Sequence, residues 1–132
     1  MTDSPDDMRA LATRFFDAIE QGDIDTMYNS FAPGAPIWHN TDEIVVTPEQ
    51  TKATLSGMVQ RITNRHYAER RLHIIPGGFV QQHALTGNRT HDGVAVRLPC
   101  AIVCAVEHGK ITRLDEYFDS AHVVEFRKFA DA

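Results

Sequence analysis

HYAERRLHIIPGGFVQQHALTGNRTHDGVAVRLPCAIVCAVEHGKITRLDEYFD, residues 66–119, decides the fold of this 132-residue chain. Pro76-Gly77-Gly78 interrupts two strand-like runs, His66–Ile75 and Phe79–Gly87. That is a hairpin signature. Asn88 to Gly93 marks a second turn, before the apolar run Val94–Val106. His108-Gly109 marks a third, before a last strand over Lys110–Asp119. The stretch predicts a four-stranded antiparallel meander. Val94–Val106 is apolar at nearly every position, which predicts cover on both faces. Helices would supply one cover and a second copy of the chain the other, giving a homodimer.

Upstream of the meander the period changes. Met8, Leu11, Ala12, Phe15 and Ile19 recur at helical spacing, and Gly22 ends that helix. Asp23 can cap a short helix over Ile24–Phe31, which Pro33, Gly34 and Pro36 terminate. Ile37–Asn40 reads as a short strand, followed by a polar loop. Thr47-Pro48-Glu49-Gln50 is a capping box with proline at the first helical position. The apolar stripe of Leu55, Met58, Val59 and Ile62 follows it. His122–Phe129 is read as a C-terminal helix. Residues 1–7 are read as a flexible tail, and 8–129 as a single domain. Helices gathered on one side of an antiparallel sheet make an α+β fold.

Composition narrows the function classes. Hydrophobic residues make up 42%, enough for one core without a metal or disulfide staple. The net charge of -5 argues against nucleic acid as partner. No run approaches the roughly 20 apolar residues of a membrane span, so no membrane partner is expected. Met1–Asp7 is acidic and polar, unlike a secretory signal, and the cytoplasm is the expected location. The only cysteines, Cys100 and Cys104, lie roughly 13 Å apart along one strand, too far to pair. No His/Asp/Glu spacing resembles a metal signature, and neither metal nor cofactor is expected.

The element order, with FFDAIEQGDI at residues 15–24 and GKITRLDEYFD at residues 109–119, resembles the nuclear transport factor 2-like superfamily. Within it the likeness is to the SnoaL-like, limonene epoxide hydrolase-like and ketosteroid isomerase-like branch, over about residues 8–129. The resemblance implies a cone-shaped curved sheet wrapped by N-terminal helices around a pocket, the cystatin-like roll. Against ketosteroid isomerase, the oxyanion-hole tyrosine falls at Phe15, its protonated aspartate near Ala101 and the general base at about His39. Against limonene epoxide hydrolase, the catalytic carboxylate falls at Glu116 and the water-holding Tyr-x-Asn at Trp38-His39-Asn40. His83 falls near that enzyme's arginine. Two of five positions carry over in type.

Read from the residues themselves, Glu116 shares a strand face with Thr112, Leu114 and Phe118. Desolvation there should raise its pKa and suit it to proton transfer. Gln81 and His83 share a face with Phe79 and Leu85, which suggests polar groups on a pocket wall. Trp38 and Asn40 share one face of their strand and His39 the other, and alternation alone leaves both registers open. Phe15, Tyr28, Trp38 and Phe118 could line an apolar cavity. The expectation is a cofactor-independent enzyme of isomerase, hydrolase or cyclase type acting on a small apolar molecule. Glu116, His83, Asn40 and His39 would be catalytic, with Trp38, Gln81, Phe15, Tyr28 and Phe118 binding substrate. The alternative is a non-catalytic module that binds a small ligand in the same pocket.

Overall fold

The computed structural model describes residues 3–130; Met1 and Thr2, part of the expected tail, lie outside them, as do Asp131 and Ala132. Pro5 to Asp7, read as part of the same tail, form the first turn of a helix. Helix α1 runs from Pro5 to Gln21, because Ser4 and Asp7 form a reciprocal capping box and Pro5 opens the first turn. Gly22 closes α1 in the left-handed conformation, at φ 78°. Helix α2, Ile24–Asn29, is capped by Asp23. Strand β1 is Ile37–His39 and β2 is Val45–Val46. The Thr47–Gln50 box starts helix α3, Pro48–Arg61. Ile62, expected on the helical stripe, is the first residue of β3, Ile62–Ile75. Strands β4 (Gly78–Arg89), β5 (Ala95–Glu107) and β6 (Lys110–Phe118) complete the meander. Helix α4 is Ser120–Phe126, two residues earlier in onset than expected because Asp119 caps it.

The six strands form one sheet in the order β2-β1-β6-β5-β4-β3. β3 to β6 pair antiparallel as the turn signals predict. Two features were not legible. β1 joins β6 in parallel, and β2 turns a stretch read as loop into an edge strand. The fold is α+β and the sheet is curved, but it does not close on itself: β2 and β3 are free edges. Curvature has a local cause. β3 shifts register between Thr63 and His66 and again between Ala68 and Arg71, and Asn64 and Glu69 take positive φ. Each bulge bends the strand, and the sheet wraps around α1.

The core lies between α1 and the concave face. Phe16 is fully buried and meets Phe15, Tyr67, Phe79 and His83 edge-on. Outside the core, Arg70 reaches from β3 to Asp17 at 2.7 Å and Glu20 at 3.1 Å, clipping α1 to the bulged strand. Arg89, buried at the end of β4, pairs with Asp92 and Glu125 and donates to the Glu125 carbonyl. These contacts anchor α4 over the end of the sheet. β5 is buried on one face only: Val96, Leu98, Cys100, Ile102 and Cys104 point inward, while Arg97, Pro99 and Ala105 are exposed. Among the described residues no helix is long and apolar enough to cross a membrane.

Candidate active site

The curl of the sheet leaves a cavity of about 470 Å³ between its concave face, α1, α3 and α4. Most of its wall is apolar: Phe15, Ile37, Leu55, Met58, Ile102 and Phe118 are representative. Of its polar groups, Thr51, Thr54 and Arg61 come from α3 and Arg127 follows α4, while His39 and Glu116 are brought together by strand pairing.

β1 lies beside β6 with Ile37 opposite Leu114, Trp38 opposite Asp115 and His39 opposite Glu116. Parallel neighbours in register put both side chains on the same face. His39 and Glu116 therefore enter the cavity side by side, with His39 Nε2 at 3.3 Å from Glu116 Oε1. Their side chains are 27% and 20% exposed, so the pair is neither solvated nor sealed. The imidazole stacks on Phe118 at 5.8 Å. Burial pushes the His39 pKa down. The hydrogen bond to Glu116 and the charges of Glu116 and Asp42 outweigh burial, and the net shift is upward from the ordinary value. The carboxylate beside it therefore favours the protonated form of His39.

The parallel pairing settles the register of Trp38-His39-Asn40. Trp38 is on the outer face, edge-on to Tyr117 at 5.3 Å, and is not part of the cavity wall. Asn40 does not line the cavity either. Its Oδ1 accepts from the Phe118 N–H at 2.9 Å and its own N–H donates to the Glu116 carbonyl. It fastens the end of β1 to β6. Tyr28 also lies off the wall, donating to Glu49 from α2. Phe15 and Phe118 do line the cavity.

His83 and Gln81 stand behind the wall. His83 is 5% exposed and Gln81 2%. The Gln81 amide meets His83 Nδ1 at 2.9 Å, so Nδ1 is the acceptor and the proton sits on Nε2. Among the described residues Nε2 has no hydrogen-bond partner. The ring packs between Phe16 and Tyr67, at 5.2 and 4.5 Å. Burial lowers the His83 pKa from 6.5 to about 4, against the attraction of Glu116 and with the repulsion of Arg70. His83 is thus neutral at physiological pH, and a proton shared between it and Glu116 does not arise. A histidine depressed in the folded state costs stability as pH falls through the window between its two pKa values. Between pH 6.5 and about 4, His83 should cost the native protein about 3 kcal/mol. Urea unfolding at stepped pH checks this, and His83→Gln should flatten the acid side of the profile.

Tyr67 was not anticipated. It lies in a strand crowded with His66, Glu69, Arg70 and Arg71, where alternation is broken by the bulges. It is 6% exposed and lines the cavity, and among the described residues its hydroxyl has no hydrogen-bond partner. Burial first, then the charge of Glu116, pushes its pKa well up. It is a neutral donor available to whatever occupies the cavity. Cys100 and Cys104 are free and buried; burial, with the charge of Glu116, pushes both thiols far up, which keeps them protonated.

A curved sheet folded over helices around a cavity is the arrangement of the nuclear transport factor 2-like class of domain. Over residues 12–114 the chain matches the SnoaL-like domain, and it belongs to that family. Among solved structures it is similar to a protein of ketosteroid isomerase-like fold from Catenulispora acidiphila, crystallised with trimethylamine (15% identity, 87% of this chain and 89% of that one, TM-score 0.75). It is also similar to a candidate SnoaL-like polyketide cyclase from Jannaschia sp. CCS1 (18%, 94% and 94%, 0.77). A third is an epoxide hydrolase of limonene epoxide hydrolase-like type from M. tuberculosis (17%, 91% and 87%, 0.72). At these identities the likeness concerns the fold. No curated protein matches the chain.

Proposed function

We propose that this protein is a cofactor-independent enzyme that moves a proton on a small, largely apolar molecule, in the manner of an isomerase or cyclase. One observation carries the reading: the His39–Glu116 pair, 3.3 Å apart, on the wall of a cavity lined mostly by apolar side chains. A carboxylate paired with a histidine whose pKa it raises can act as a base on a molecule bound in the cavity. Glu116 takes the proton from a carbon next to a carbonyl. The C–H electron pair becomes the new C=C bond, and the carbonyl π pair moves onto oxygen. Tyr67 donates its hydroxyl hydrogen bond to that oxygen as it gains charge. Glu116 or His39 then returns a proton at a second carbon.

Water activation, as in an epoxide hydrolase, has weaker support. The groups suited to hold a water, Asn40 and Gln81, are occupied by Phe118 N–H and His83. Relatives of this fold include cyclases, isomerases and an epoxide hydrolase, so the proton-transfer reading lies within the range of its neighbours.

The pH profile tests the pair. If His39 acts as the protonated partner, kcat/KM falls as pH rises through its raised pKa. In His39→Gln that alkaline limb should disappear, with activity reduced about 10²-fold. An unchanged alkaline limb in the variant counts against the assignment of His39. The non-catalytic reading gains weight if the native protein binds enones and polyketide-like rings but turns none over.

The homodimer belongs to the same proposal. The outer face of the sheet carries Pro99, Ala101, Val103 and Ala105 on β5 and the exposed Tyr117 on β6. A second copy seated there would cover the β5 side chains that the helices leave open. Sedimentation at micromolar concentration should give twice the chain mass; monomer alone contradicts it.

A further inference from the structure

The cavity is electrically polarised along its length. Its acidic lining groups, Glu116 and Asp42, gather around His39, whose pKa both of them raise. Its basic lining groups besides His39 are Arg61 and Arg127. The sheet register fixes how far apart the two sets stand. Glu116 is opposite Ile102, which is opposite Gln81. Arg61 immediately precedes Ile62, which is opposite Arg89, and the Arg61 carbonyl accepts from Thr90. Arg127 is two residues beyond Glu125, whose carbonyl and carboxylate accept from Arg89. Both arginines therefore flank Arg89. Gln81 and Arg89 are eight residues apart on β4, about 26 Å along the strand contour. The arginine side chains reach back over part of that distance into the cavity.

Arg89 itself is neutralised by Asp92 and Glu125. Arg127 is not: among the described residues no acceptor takes its guanidinium. A cation left open at the mouth of an apolar cavity favours an anion there. Guanidinium groups suit a carboxylate, which they can meet with two parallel hydrogen bonds.

We infer that the substrate is an elongated apolar carboxylate, held by its anionic end at Arg127 with its reactive end at Glu116. This rests on the proton-transfer reading of the site. The reversed orientation would put the anion against Glu116 and Asp42, so the same charges that attract one end repel it from the other. The order of charges then selects which carbon meets the base.

The test is a matched pair of probes, 2-naphthoate and its neutral isostere 2-naphthamide, titrated calorimetrically into the native protein. We expect naphthoate to bind about tenfold more tightly. In Arg127→Gln that preference should fall to about twofold, with naphthamide affinity unchanged; Arg127→Lys should restore part of it. Arg127 is exposed and follows α4, so these variants keep the fold. Glu116→Gln should keep the preference, which separates this inference from the catalytic one. Equal affinities, no binding of naphthoate, or a preference that survives in Arg127→Gln would overturn it.

Discussion

Glu116→Gln should abolish turnover and leave the fold in place. The amide keeps the shape of the side chain and can still accept from His39, but it cannot take a proton. Loss of a positioned base costs about 10²–10⁴-fold in kcat, and the remaining activity would come from Tyr67 and binding alone. The assay is turnover on a panel of enones, epoxides and polyketide-like rings, alongside a thermal melt. Activity retained in the glutamine variant with an unchanged melt removes Glu116 from the mechanism. Turnover confined to epoxides would move the reaction from carbon acids to water attack.

The largest expected effect on stability comes from a residue far from the chemistry. Gly78→Ala should lower stability by about 3 kcal/mol or more. A Cβ at Gly78 would stand 1.9 Å from the Cys104 carbonyl oxygen, 3.0 Å from its carbon and 3.2 Å from Ala105 Cα. All three are backbone atoms of β5, so no side chain can swing aside. β4 would have to part from β5 where Gly78 is opposite Ala105. Gly77→Ala is the control. Its Cβ meets nothing within 4 Å, and only its φ of +76° is unfavourable, a strain of about 1–2 kcal/mol. Denaturant unfolding should therefore rank Gly78→Ala well below Gly77→Ala, and equal losses would contradict the close-approach argument.

These two glycines also show how far the sequence carries. Pro76-Gly77-Gly78 reads as a chain reversal and is one. That the second glycine is needed for space and the first for φ becomes visible only when β5 is in place. The same divide runs through the site. β6 carries a bulge at Thr112 but pairs without a shift from Arg113 to Phe118, so alternation there puts Leu114, Glu116 and Phe118 on one face, and all three line the cavity. β1 has three residues and gains its register from β6, so nothing local chooses between His39 and Asn40. Tyr67 escaped because the bulges at Asn64 and Glu69 break the two-residue period on which strand reading depends. A single aromatic inside a charged strand was the available signal. His83 shows the opposite error: its face was read correctly, but Phe16 and Tyr67 seal it behind the wall.

The central claim is that His39 and Glu116 act as one coupled unit, and it can be measured without a substrate. Histidine-resolved NMR titration gives the pKa of His39 in the native protein and in Glu116→Gln. The native value should lie above 6.5, because Glu116 and Asp42 outweigh burial. In the glutamine variant the carboxylate charge of Glu116 is gone and burial is opposed by the charge of Asp42, so His39 should titrate below its native value. A His39 that titrates at the same pH in both proteins would contradict the account.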